Sequence, residues 1–160
     1  MLQTTPFLLF DGDCGEAMTF YHKCFGGELT LTKLADTPMK SMFPQEKHNR
    51  IINAHIKNGA IDISATDWMA APQYEPMLGE MYAVFVTGSY DEVKTVFDKL
   101  AVGAEKDRFQ ELHQMPFGMY GQMYDKFHRH WIFMAAKNNN KVDSAKSEER
   151  SASPEVGRRI

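Results

Sequence analysis

Long hydrophobic runs are missing from this chain: nothing in it approaches the roughly 20 apolar residues that a membrane span needs. The opening MLQTTPFLLFDGD has no basic start, no extended apolar stretch and no small-residue cleavage site. Neither a membrane protein nor an exported one is expected. Cysteine is scarce, with only Cys14 and Cys24, ten residues apart within one predicted helix. That spacing turns them to different sides, so neither a disulfide nor a metal knuckle is expected. A reducing, cytoplasmic compartment is the natural setting. An excess of basic charge is also missing. The formal net charge is −3, and the lysines and arginines are scattered without a stripe of interleaved aromatic residues. Nucleic acid and anionic lipid are therefore not expected partners.

What is present is ordinary globular material: 160 residues, 43% hydrophobic and 24% charged, enough for one domain with a core. Internal repetition is the clearest feature. A displacement of 76 residues superimposes two helix signatures, Asp13 with Glu16 and Ser89 with Glu92. Both are capping-box patterns that satisfy the free N–H groups of a first helical turn. Ala17, Phe20, Tyr21 and Cys24 then form one apolar stripe, and Val93, Val96, Phe97 and Leu100 form its counterpart. Gly27 and Gly103 follow as stop signals.

Strands fill the remainder. Pro6–Phe10 and Met81–Thr87 precede the two helices, while Glu28–Leu34 and Ala104–Glu111 follow them. Ile51–Lys57 and Ala60–Thr66 flank Asn58-Gly59, a strong two-residue hairpin signal. Met119–Tyr124 and His130–Ala135 form the corresponding pair in the second half. The pattern predicts an α+β fold of two β-α-β-β-β modules, over about residues 4–66 and 80–136, within one domain spanning 1–136. Asp36–Asn49 is a polar loop, and Asp67–Gly79 links the halves. Residues 137–160 have no aromatic side chain and are expected to form a polar, mobile tail.

The stretch PFLLFDGDCGEAMTFYHKCFGGEL resembles the opening of PhnB-like proteins, in which a strand runs into G-[NDC]-C-x-E-A and F-Y-x-x-x-F-G-G. FGMYGQMYDKFHRHW is similar to their later F/W-G-x-x-[FY]-G-x-x-x-D-x-F-G-x-x-W segment, with His128 where that family usually has glycine. The resemblance covers about Pro6 to Ala135 and implies the glyoxalase/bleomycin-resistance/dioxygenase superfamily, with its vicinal-oxygen-chelate fold of curved mixed sheets around a cup. It also implies a homodimer. Some PhnB-like proteins are labelled ubiquinone methyltransferases, but no G-x-G-x-x-G loop follows a strand here.

Metal-using members of that superfamily place four ligands on the first and last strands of the two modules. By resemblance these positions fall on Pro6, Tyr82, Ile132 and, nearest, Asp62. Proline and isoleucine have no donor atom, and a catalytic metal needs about three protein ligands. Neither metal nor cofactor is expected. His128 with His130, or His55 with Asp62, are the remaining histidine groupings that a metal could use.

With Asn58-Gly59 as the turn, His55 lies directly opposite Asp62, and Asn53 lies opposite Ser64. Ile52, Ala54, Ile56, Ile61, Ile63 and Ala65 then share the helix-packed face. Asn53, His55, Asp62 and Ser64 share the other, with Tyr82, His130 and Ile132 facing the same way from the second half. Trp131 and Phe133 read as core, as do most of Met39, Met42, Met115, Met119 and Met123. The expected function is capture of a small organic molecule, with Asn53, Ser64, Tyr82, His130 and Ile132 as ligand-binding residues. The alternative is a metal-independent isomerase, lyase or hydrolase in which His55 and Asp62 move protons. A protein-interaction module with a filled cup is a third class. Any half-exposed sheet has a polar face, and an exposed cross-strand pair contributes only about 0.2–1 kcal/mol.

Overall fold

The computed structural model describes residues 2–3, 5–69 and 82–136. The tail expected over residues 137–160 and most of the link between the halves lie outside them. Each half builds one mixed four-stranded sheet carrying one helix. In the first, β1 (Phe7–Phe10), α1 (Cys14–Phe25), β2 (Glu28–Lys33), β3 (Ile51–Asn58) and β4 (Ile61–Asp67) follow in sequence. The sheet order is β1-β4-β3-β2, with β1 parallel to β4 and the other pairs antiparallel. In the second, β5 (Val84–Gly88), α2 (Tyr90–Leu100), β6 (Phe109–Met115), β7 (Gly118–Tyr124) and β8 (His130–Ala135) repeat it as β5-β8-β7-β6. The duplicated β-α-β-β-β architecture is as expected.

The two helices start differently, although their sequences promise the same cap. Ser89 accepts from the backbone N–H of Glu92, and the Glu92 carboxylate returns to the Ser89 N–H, completing the box on α2. Asp13 makes no capping hydrogen bond. Asp67, at the far end of β4, replaces it by accepting from the N–H groups of Gly12 at 2.7 Å and Cys14 at 3.0 Å. Its second oxygen takes the Ile51 N–H at 2.8 Å. A buried carboxylate that accepts three backbone donors ties helix, β3 and β4 together.

The β3–β4 hairpin turns one residue later than its sequence suggests. Asn58 pairs with Ile61, so the turn is Gly59-Ala60, with Gly59 at φ +58°. Asn58 is held in the ladder because its side-chain amide donates to the Phe25 carbonyl at 2.8 Å, at the end of α1. Gly27 meets the same strand so closely that a Cβ there would lie 2.4 Å from the Lys57 carbonyl oxygen. Sliding the turn by one residue shifts the pairing by two, which preserves which residues share a face. Ala54, Ile56, Ile63 and Ala65 accordingly face the helix, all buried. Ile52 does not. A bulge opposite Thr32 and Lys33 sets it aside and buries Ile51 in its place.

Two strands of the second half are displaced from their expected spans. Residues 104–108 form a bend ending in a 3₁₀ turn at Lys106–Arg108, and β6 begins only at Phe109. β5 begins at Val84, leaving Tyr82 ahead of it and exposed. Among the methionines, Met123 is buried as expected, whereas Met39 and Met42 are exposed.

The halves share one core. Tyr21 and Phe25 of α1 pack against Trp131 of β8, with ring centroids 5.3 and 5.5 Å apart, and Trp131 is fully buried. Phe97 of α2 meets Phe133 at 5.0 Å. The helix-packed faces of both sheets therefore line one interior, and their polar faces point away from it.

Candidate functional site

The first polar face is built on β3 and β4. Alternation along these strands brings Asn53, His55, Asp62 and Ser64 to one side, as the sequence suggests. The slid turn changes their pairing: His55 stands opposite Ser64, and Asp62 stands opposite Lys57. His55 and Asp62 are thus diagonal rather than directly opposed, yet long side chains bridge that distance. His55 Nε2 meets Asp62 Oδ1 at 2.8 Å, and Lys57 Nζ donates to Oδ2 at 2.7 Å. Lys57 was not singled out from sequence; its place beside the hairpin turn was the available signal. The hydrogen bond from Lys57, followed by that from His55, holds the Asp62 carboxyl below its ordinary range. The contact with a carboxylate places a proton on His55 Nε2, and in the neutral ring Nδ1 is then the acceptor.

β1 completes this face with Phe7 and Leu9, which run beside Ser64 and Thr66. Pro6 precedes the strand and has the opposite parity, so the metal position carried over from the resemblance does not face the polar side. The same holds for Tyr82. On β5 the residues that run beside Ile132 and Met134 are Phe85 and Thr87. Phe7 is 55% exposed and Phe85 56%.

The second polar face is built on β6, β7 and β8. His130 lies opposite Tyr124, and Ile132 lies opposite Gln122. The Tyr124 and His130 rings stack at 4.3 Å with 10° between their planes. The Arg108 guanidinium carbon sits 3.8 Å from the centre of the Tyr124 ring. Glu105 holds Arg108 there, accepting from Nε at 2.8 Å, and also meets Nδ1 of His128 at 2.5 Å. These contacts, Arg108 before His128, keep the Glu105 carboxyl below its ordinary range. His130 Nε2 meets Gln122 Oε1 at 2.9 Å, and Gln122 Nε2 donates to Gln110 Oε1 at 3.2 Å. Asp107, Arg108, Gln110, Gln122, Tyr124 and His130 line a shallow depression of about 360 Å³, which Phe109 completes. Apart from His130, none of these residues was singled out from sequence, although Gln122 and Tyr124 alternate with buried Met123 in a way that strand parity could have exposed.

The structure therefore divides the expected site residues. Asn53, His55, Asp62 and Ser64 come together on one sheet. His130 and Ile132 lie on the other, and Tyr82 lies outside both strands. His128, in the left-handed region at φ +61°, engages Glu105, while His130 engages Gln122, so the two do not converge. Among the described residues no three His, Cys, Asp or Glu side chains gather where a metal ion could be held.

No family model matches the sequence. No curated protein matches it either. Solved structures do resemble it. Protein PA1353 from Pseudomonas aeruginosa is 25% identical and superimposes with a TM-score of 0.72, over 86% of this chain and all of that one. The PhnB protein from Bacillus cereus is 22% identical with a TM-score of 0.63, over 84% of this chain and all of that one. A point mutant of the fosfomycin resistance protein FosX from Listeria monocytogenes, complexed with Mn(II) and 1S,2S-dihydroxypropylphosphonic acid, is 12% identical with a TM-score of 0.54, over 89% of this chain and 98% of that one.

Proposed function

We propose that this chain, which has the fold of the vicinal-oxygen-chelate superfamily, is a metal-independent small-molecule-binding protein. The FosX mutant of similar fold is complexed with a small organic molecule and Mn(II). The organic ligand is carried over to this chain; the metal is not. Phe7 and Leu9 on β1, and Phe85 and Thr87 on β5, occupy the polar faces where first-strand ligands would project, and none is a metal donor of the usual kind. Asp62 is already engaged by His55 and Lys57.

One observation carries the reading: each sheet has a polar face, organised by its own hydrogen bonds, on the side away from the shared core. The same geometry supports a functional homodimer as part of the proposal. The two faces of one chain point away from their common interior, so a second copy supplies the opposing wall and covers Phe7 and Phe85. Free, buried Cys14 and Cys24 suit a reducing, cytoplasmic setting. Native mass spectrometry and elemental analysis of gently purified protein test the proposal. The expected result is a dimer that retains a small organic molecule and less than about a tenth of an equivalent of transition metal. A metal bound near one equivalent per chain overturns it.

A second reading is enzymatic and rests on the 2.8 Å contact between His55 and Asp62. A carboxylate that accepts from Nε2–H leaves Nδ1 of the neutral ring available as a general base. His55→Gln and Asp62→Asn then abolish turnover of the bound molecule while the fold survives. Unchanged chemistry in both variants leaves the pair as sheet residues.

A further inference from the structure

We propose that the depression on β6–β8 is a recognition site for an uncharged planar carboxamide. The inference rests on the small-molecule-binding reading and names the ligand class for its second polar face. The depression, at about 360 Å³, has the size of a single-ring ligand.

Charge decides against an anion. Arg108 is the one arginine or lysine among the lining residues, and the only other basic group there, His130, is turned onto Gln122 Oε1. Its Nε is committed to Glu105, and its guanidinium lies flat on Tyr124. Asp107 shares the rim and Glu105 holds Arg108 from behind, so an incoming carboxylate or phosphonate meets one acidic side chain directly and a cation that is already engaged.

Hydrogen-bonding capacity points to an amide. Gln122 uses one N–H on Gln110 Oε1, and its own oxygen accepts from His130. Each glutamine still has a further amide N–H, and Gln110 Oε1 keeps a second lone pair. Donors and an acceptor thus stand side by side, the complement of a carboxamide that offers its C=O to the N–H groups and its NH₂ to the oxygen. A carboxylate satisfies only half of that pattern and leaves the acceptor unpaired. The stacked Arg108, Tyr124 and His130 planes form a wall along which a flat ring lies.

Nicotinamide and nicotinate, which differ only in this group, are the probes. The side-chain NH₂ resonances of Gln110 and Gln122 in ¹⁵N-labelled protein give a local readout. The expected result is a saturable shift of these resonances by nicotinamide below about 10 mM, with nicotinate at least about tenfold weaker. Gln110→Leu, on an exposed position of β6, removes the shift while the fold, read from backbone resonances, persists. Equal or tighter binding of nicotinate, or no saturable shift at these amides, overturns the inference. Native mass spectrometry separates the two failures. A molecule retained by the wild type and equally by Gln110→Leu keeps the binding function and places it elsewhere. The absence of any retained molecule or probe binding removes both.

Discussion

The hydroxyl of Tyr21 donates to Oδ2 of Asp125 at 2.6 Å, joining residues 104 apart in the sequence, and both side chains are fully buried. Trp131 Nε1 donates to the same oxygen at 2.8 Å, while the N–H groups of Phe127 and Arg129 satisfy Oδ1 at 2.8 and 3.0 Å. One carboxylate thus ties α1 of the first half to the turn before β8 of the second. Tyr21→Phe removes one charge-assisted bond and is expected to cost about 1.5–3 kcal/mol in urea unfolding. Asp125→Ala strands four donors, three of them in fully buried bonds, and is expected to cost more than Tyr21→Phe. A smaller loss for Asp125→Ala would mean that the halves are held by packing alone.

The same contact has an alkaline signature. Burial, and then the Asp125 charge, push the Tyr21 hydroxyl well above its ordinary value. Its contribution is fully present below the unfolded pKa of about 10, and it declines as pH rises beyond that, where the unfolded chain ionises first. The melting temperature of the wild type should fall across that range more steeply than that of Tyr21→Phe.

The unequal caps predict unequal costs. Ser89→Ala should destabilise by about 1 kcal/mol, because it removes the completed box on α2. Asp13→Ala, at the matching position of α1, should be close to neutral. Asp67→Ala should exceed both, since it leaves three backbone N–H groups without their acceptor. Chemical denaturation of the three variants gives this order, and an Asp13→Ala cost equal to that of Ser89→Ala would contradict it.

Both thiols should be inert in the native protein. Burial, ahead of the Asp67 charge, pushes Cys14 up to about 12, and burial pushes Cys24 up to about 11. At pH 8 neither forms the thiolate that attacks a thiol reagent. Ellman's reagent is expected to label neither residue until denaturant is added; rapid native labelling would show that α1 opens.

The Asp62 carboxyl, held low by Lys57 and His55, predicts an acid-side effect. A depressed native pKa contributes stability above the unfolded value of about 3.9 and loses it as pH falls through the native value. Asp62→Asn should therefore flatten the decline in melting temperature on acidification. A wild-type and a variant curve that run parallel would show that the contact is absent in solution.

Much of the first polar face was legible because strand alternation is a local property. Ala54, Ile56, Ile63 and Ala65 must be buried, so Asn53, His55, Asp62 and Ser64 must point the other way. The turn lies one residue beyond the position that Asn58-Gly59 suggests, because the bond from Asn58 to Phe25 that holds Asn58 in the strand crosses to another element. Tyr82 and Pro6 were aligned by motif alone, with no alternation around them to fix their facing. The depression on β6–β8 was largely hidden, since Arg108 reaches it from a 3₁₀ turn whose path does not follow from strand periodicity.

Local residue patterns suffice for the duplicated β-α-β-β-β plan, the apolar faces of both helices and the polar sides of the strands. These follow from short periods of burial that each segment satisfies with its own residues. Tertiary structure alone decided that Asp67 caps a helix more than fifty residues before it. It also decided that Asp125 joins the halves, and that Arg108, Tyr124 and His130 stack into one wall. Each of these depends on side chains from different elements meeting at hydrogen-bonding or stacking distance, and that separation is set by how helices and sheets pack, which no local period encodes.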